Sequence, residues 1–125
     1  MNERCWIWIA MAEDIPLREG RTVHVAGREI AIFNLGDDRF YAAENKCPHK
    51  GGPLADGIVA GASVVCPLHG WKVSLRSGAV DRPAGERMCV ETYPAKIDNG
   101  TVVVGLPAAW FASESLAGGY AWQPA

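Results

Sequence analysis

Two short stretches decide how this sequence is read: Cys47-Pro48-His49-Lys50-Gly51-Gly52-Pro53 and Cys66-Pro67-Leu68-His69-Gly70-Trp71. Each sets a cysteine and a histidine in a turn that continues into glycine. In motif form they are C-x-H, sixteen residues, then C-x-x-H. The intervening Ile58-Val59 and Ser63-Val64-Val65 flank Gly61 and read as a β-hairpin, so one strand pair separates two chemically similar loops. Four borderline-to-soft ligands on two glycine-bearing loops make a metal site.

Working outward from these loops, strand signals dominate. Trp6 to Ile9 is aromatic and β-branched. Thr22 to Val25 and Glu29 to Phe33 flank Ala26-Gly27 and form a second hairpin. Phe40 to Ala43 follows the turn Gly36-Asp37-Asp38. Lys72 to Leu75 alternates and closes at Ser77-Gly78. Val90 to Ile97 and Thr101 to Val104 flank Asp98-Asn99-Gly100, a tight-turn signal. Short strands at regular spacing with glycine turns argue for an all-β protein, an antiparallel sandwich or barrel. Met11 to Pro16 has room for one turn of helix at most. The pattern weakens after Leu106, which divides the chain into a domain over 1–106 and a C-terminal tail over 107–125. Trp110, Phe111, Tyr120 and Trp122 in that tail suit either covering the domain or contacting a partner.

The bulk properties exclude several classes. A chain of 125 residues with 49% hydrophobic residues suits one folded domain. Twelve basic and fourteen acidic residues leave a net charge of −2, unlike the basic surface of a nucleic-acid binder. No apolar run approaches the ~20 residues of a membrane span. The N-terminal residues read as a strand and not as a signal peptide, so a cytoplasmic location is the expectation. Of the four cysteines, Cys5 and Cys89 stand among apolar neighbours and are expected to be core thiols. His24 lies mid-strand without a cysteine partner and is assigned no role.

The remaining cysteines and histidines raise the question of which metal. Zinc accepts two thiolates and two imidazoles, but its finger spacings pair Cys with Cys and His with His. One of each per loop suits a binuclear iron–sulfur cluster, with one iron held by both thiolates and the other by both imidazoles. The spacing, the proline after each cysteine and the glycine-bearing ends of both loops resemble the Rieske family. The resemblance implies a Rieske-type sandwich with a cluster-binding subdomain of two loops. It also implies one [2Fe–2S] cluster held by Cys47, His49, Cys66 and His69, with no catalytic residue of the chain's own. Asp81-Arg82-Pro83-Ala84-Gly85 is placed to be the proline loop that covers such a cluster.

Two neutral imidazoles in place of thiolates raise the potential above that of an all-cysteine cluster, within a range of about −150 to +300 mV. High-potential members carry an additional cysteine in each loop, joined as a disulfide. The matching positions here are Gly52 and Leu68. A serine that donates to a cluster sulfur in those members is matched by Trp71. Both differences predict the low end of the range. Lys46, Lys50 and Lys72 flank the ligands, either as solvated surface or as a rim suited to an acidic partner.

Three settings use such a domain. A respiratory subunit needs an anchor and normally the disulfide. An oxygenase front domain needs a further two-histidine-one-carboxylate iron site, and only three histidines are present. A small electron carrier or subunit remains. Residues 47–59, Cys66 to Val73 and the opening Trp6-Ile7 resemble the small subunit of assimilatory NAD(P)H-dependent nitrite reductase over roughly 1–106. That resemblance implies a large partner subunit that holds FAD, sirohaem, a [4Fe–4S] cluster and the nitrite site. A free Rieske-type ferredoxin delivering electrons to a ring-hydroxylating oxygenase is the alternative.

Overall fold

Ile30, Ala31, Ile32 and Phe33 form an unbroken apolar run, and all four are fully buried. A strand with one wet face would alternate; this one is covered on both sides. In a computed structural model that describes residues 3–48, 52–68 and 70–111, it lies at the centre of the molecule. The described residues form eleven strands and no α-helix: β1 (Arg4–Met11), β2 (Gly20–Val25), β3 (Arg28–Asn34), β4 (Phe40–Glu44), β5 (Ile58–Ala60), β6 (Ser63–Val65), β7 (Lys72–Ser74), β8 (Val80–Arg82), β9 (Thr92–Tyr93), β10 (Ala95–Asp98) and β11 (Thr101–Pro107).

These make three antiparallel sheets, ordered β1-β11-β10, β2-β3-β4-β9 and β5-β6-β7-β8. The second is the middle layer. Ile30 and Ile32 point into a core shared with Val102, Val104 and Leu106 of the first sheet. Ala31 and Phe33 point into a core shared with Val64, Val73 and Leu75, and Cys47 and Cys66 belong to this core. Each fully buried Ile, Val, Leu or Phe side chain contributes about 1.5–3 kcal/mol relative to exposure. The expected all-β sandwich is therefore present, with the third sheet packed on its outer side as the subdomain that carries both loops.

The turns follow from their residues. Ala26 and Gly27 have φ of 52° and 75°, and Asn99 and Gly100 have 54° and 77°. Two left-handed residues in succession match the twist of a two-residue hairpin, which favours Asn-Gly and tolerates Ala-Gly.

Three expectations need revision. The single strand expected over Val90 to Ile97 is broken at Pro94: β9 pairs with β4 and β10 with β11. Proline has no N–H to continue a ladder, and its carbonyl instead accepts from the Gly105 N–H at 2.8 Å. The chain thereby crosses from one sheet of the sandwich to the other. β8 carries a single apolar residue, so its sequence gives no strand signal. Cys89 is exposed and Cys5 half-buried, so neither is a core thiol. At Cys89 the extended chain turns Val90 inward and the thiol outward. Of the two roles open to the tail aromatics, Trp110 and Phe111 take the covering one: they pack on the first core within a 3-10 turn, Ala108–Phe111. Trp110 meets the Tyr93 ring edge-on at 5.3 Å, with the Arg28 guanidinium 4.4 Å from its centroid. Tyr120 and Trp122 lie outside the described residues.

Candidate metal centre

The middle and third sheets hand over to each other at the first loop. β4 ends at Glu44, and the next side chain, Asn45, turns inward and is only 6% exposed. Its amide nitrogen donates to Thr22 Oγ1 at 2.9 Å and Glu29 Oε1 at 3.2 Å, and its carbonyl oxygen accepts from the Ala55 N–H at 2.8 Å. Asn45 thus ties the start of the loop to its end, a 3-10 turn over Leu54–Asp56, and both to the β2–β3 hairpin. Leu54 and Ala55 are buried beneath the loop and fix that turn to the core.

The two loops close in the same way. The Cys47 N–H donates to the Gly52 carbonyl at 2.7 Å, and the Cys66 N–H donates to the Trp71 carbonyl, also at 2.7 Å. In each case the bond spans five residues and leaves the cysteine at the neck of its loop. In the second loop the Gly70 N–H also donates to the Cys66 carbonyl at 3.1 Å. Gly70 has φ of 75°, a conformation that favours glycine. Cys47 and Cys66 are 1% and 2% exposed.

Gly52 brings the loops together. A Cβ on Gly52 would lie 2.5 Å from Leu68 Cδ1 and 3.8 Å from Cys66 Sγ. A side chain at this position would have to push Leu68 aside, so glycine lets the loops meet with the leucine in place. The two positions that would carry a bridging disulfide, Gly52 and Leu68, are therefore in contact, and the leucine fills the space.

The third sheet frames the site. Its inward row, Val59, Val64, Val73 and Val80, is buried. Its outward row at the loop end is Ile58, Val65, Lys72 and Arg82, aligned across β5 to β8. The pairing of Lys72 with Arg82 places the start of the expected proline loop, Arg82-Pro83, beside the end of the second loop. Pro83 to Gly85 are exposed there. Trp71 is half-buried and packs against the second core. His24 lies on the surface 3.4 Å from Glu29 Oε2.

Two of the four expected ligands, Cys47 and Cys66, are thus brought onto facing loops at the edge of one core. His49, His69 and Lys50 lie outside the described residues. Two cysteines sit at equivalent necks of facing loops, which approach each other closely where Gly52 meets Leu68 beside the Cys66 sulfur. That arrangement fits a group that bridges both loops through thiolates. Asn45 was not singled out from the sequence. An asparagine after a strand signals a turn, but its burial and its three bonds depend on which segments fold over it.

The comparisons agree with this geometry. Residues 5–94 match the family model for the Rieske [2Fe–2S] domain. The ferredoxin component of a naphthalene 1,2-dioxygenase/salicylate 5-hydroxylase system from Ralstonia is 33% identical over 105 residues, covering 79% of this chain and 93% of the ferredoxin. Among solved structures, a protein assigned as the NADH-dependent nitrite reductase small subunit of Mycobacterium tuberculosis superposes with a TM-score of 0.74 at 25% identity, covering 82% of this chain and 95% of that one. Another protein assigned as a nitrite reductase NADPH small subunit gives 0.70 at 26%, covering 80% and 97%. Among the described residues no helix is long and apolar enough to cross a membrane. With the match covering most of its length and the two cysteine loops in place, the chain belongs to the Rieske [2Fe–2S] domain family.

Proposed function

We propose that this chain is the electron-transfer small subunit of an NAD(P)H-dependent nitrite reductase, supporting the six-electron reduction of nitrite to ammonium. The observation that carries this reading is the way the second loop leaves the site, as Trp71-Lys72-Val73. Trp71 rests on the core, Lys72 lies in the outward row, and Val73 is fully buried. This run is where the sequence most resembles the small subunit. The likeness to the two small-subunit structures, over 80% and 82% of this chain and 97% and 95% of theirs, supports it.

The cluster ligands in this reading are Cys47, His49, Cys66 and His69. Bound there, a [2Fe–2S] cluster would accept and release one electron at a time. The chain's own residues do the rest. Asn45 holds the first loop closed. Gly52 permits the approach of the loops, and Leu68 shields the side where they meet. Leu68 and Ile58 are 54% and 71% exposed beside the loops, with Lys72 and Arg82 next to them, which suits transient contact with a redox partner. The domain spans 1–106, and the segment 107–125 begins with a turn that packs back on it. The large subunit would hold FAD, sirohaem, a [4Fe–4S] cluster and the nitrite site, and the complex would work in the cytoplasm.

A free ferredoxin serving a ring-hydroxylating oxygenase is the second reading, favoured by the 33% identity to the Ralstonia ferredoxin component. An anaerobic pull-down of this chain from its native lysate, assayed for NAD(P)H-dependent nitrite consumption, separates the two. A large sirohaem-bearing partner with that activity is expected. Recovery of the chain alone, reducible by a flavin reductase, would replace this reading with the second.

A further inference from the structure

At the pole away from the cysteine loops, three arginines from three separate segments line one open cleft of about 560 Å³: Arg4, Arg39 and Arg76. Arg39 lies in the turn entering β4 and Arg76 in the turn leaving β7. Each therefore stands at the far end of a strand whose near end leads to a cysteine loop, and β4 alone spans roughly 17 Å. All three are exposed, and among the described residues none forms an ion pair. Arg4 donates to the Gly105 carbonyl and Arg39 to those of Gly36 and Leu35. Among the described residues, Asp38 is the one acid on the cleft wall. Three like charges around a single carboxylate create a positive field on a chain whose net charge is −2.

The cleft continues onto an aromatic face. A Cβ on Gly105 would lie 3.2 Å from Arg4 Cδ, from Pro94 Cγ and from Trp6 Cε2, so the Trp6 ring adjoins two residues of the cleft wall. Lys96 Nζ sits 4.4 Å from the Trp6 ring centroid. Trp8, on the same face of β1, is 67% exposed, and Trp6 is 46% exposed. Exposed tryptophan beside arginine is the composition of interface hot spots.

We propose that this face, where the Arg4–Arg39–Arg76 cleft adjoins Trp6 and Trp8, is a docking site for an acidic segment of a partner polypeptide. A small anion could touch the arginines but could not also cover the tryptophans, so an extended ligand is required. The role assigned rests on the subunit reading: contact at this pole holds the chain to its partner while the cysteine loops stay accessible.

Two measurements test it, with cluster absorbance and thermal unfolding used to show that each variant is intact. The first is fluorescence anisotropy of a labelled decaglutamate peptide, with decalysine as control. Saturable binding to the wild-type chain is expected, weakening with salt. It should fall about tenfold or more in Arg39→Glu/Arg76→Glu and persist in Arg39→Lys/Arg76→Lys. Absent or unchanged binding overturns the proposal. So does wild-type self-association in sedimentation that is lost in Trp8→Ser, because the face would then belong to a second copy.

The second measurement is retention of the co-purifying oxidoreductase by wild-type and charge-reversed chains. Nitrite reductase activity retained equally by both overturns the docking site and leaves the subunit reading intact. A different oxidoreductase lost only on charge reversal supports the docking site and overturns the nitrite reading. Failure of both chains to retain any partner overturns the proposal.

Discussion

Replacing Asn45 with alanine should loosen the first cysteine loop more than its single side chain suggests. The wild-type amide makes three bonds in a site 6% exposed. Alanine orphans the Ala55 N–H beneath the loop, which costs about 1–3 kcal/mol. Losing the donors to Thr22 and to the largely solvated Glu29 adds about 1 kcal/mol. The total of about 2–4 kcal/mol corresponds to roughly 8–16 °C in Tm for a chain of this size. Because Asn45 joins the ends of the loop that carries Cys47, cluster retention should fall with stability. Asn45→Asp keeps the acceptor for Ala55 but places a carboxylate beside Glu29, so it should lie between wild type and alanine. The assay is thermal unfolding of the cluster-loaded protein, followed together by circular dichroism and visible absorbance. An Asn45→Ala protein melting within 2 °C of wild type with full cluster absorbance would refute the reasoning.

Gly52→Ala should cost about 1 kcal/mol by forcing Leu68 aside, and less than half as much in a Leu68→Ala background; equal costs in a double-mutant cycle would show that the two loops do not meet there. Cys66→Ser should abolish cluster assembly and lower stability, checked by iron content and visible spectrum; an unaltered spectrum would remove Cys66 from the ligand set. The cluster potential should fall at the low end of the family range, and a titration giving well above about +100 mV would refute the argument from Gly52, Leu68 and Trp71. Burial, reinforced by Glu44 and Glu91, raises the Tyr93 pKa from 10.0 to about 12. The unfolded chain then loses this proton first, so stability is full below pH 10 and declines as pH rises toward 12. Tyr93→Phe should lack that alkaline component, read by unfolding curves at several pH values, and a Tyr93 absorbance step near pH 10 would contradict the raised value.

The sequence by itself determined the local chemistry. C-x-H and C-x-x-H on turns, the all-β class and the hairpins at Ala26-Gly27 and Asn99-Gly100 were legible because each depends on neighbours a few residues apart. So was the pairing of Gly52 with Leu68, through resemblance. Only tertiary structure decided the rest. That Ile30 to Phe33 is covered on both faces depends on two separate sheets, one of them contributing Val102, Val104 and Leu106 from some seventy positions further on. Pro94 marked a break, but only the competing edges of β4 and β11 determined that the chain would change sheets there. Asn45 became a pin, and Cys89 was turned outward, because burial is set by what packs above a residue and not by its own type. The arginine cleft is the extreme case. Arg4, Arg39 and Arg76 are unremarkable in sequence, and their charges add because three remote segments end at the same pole.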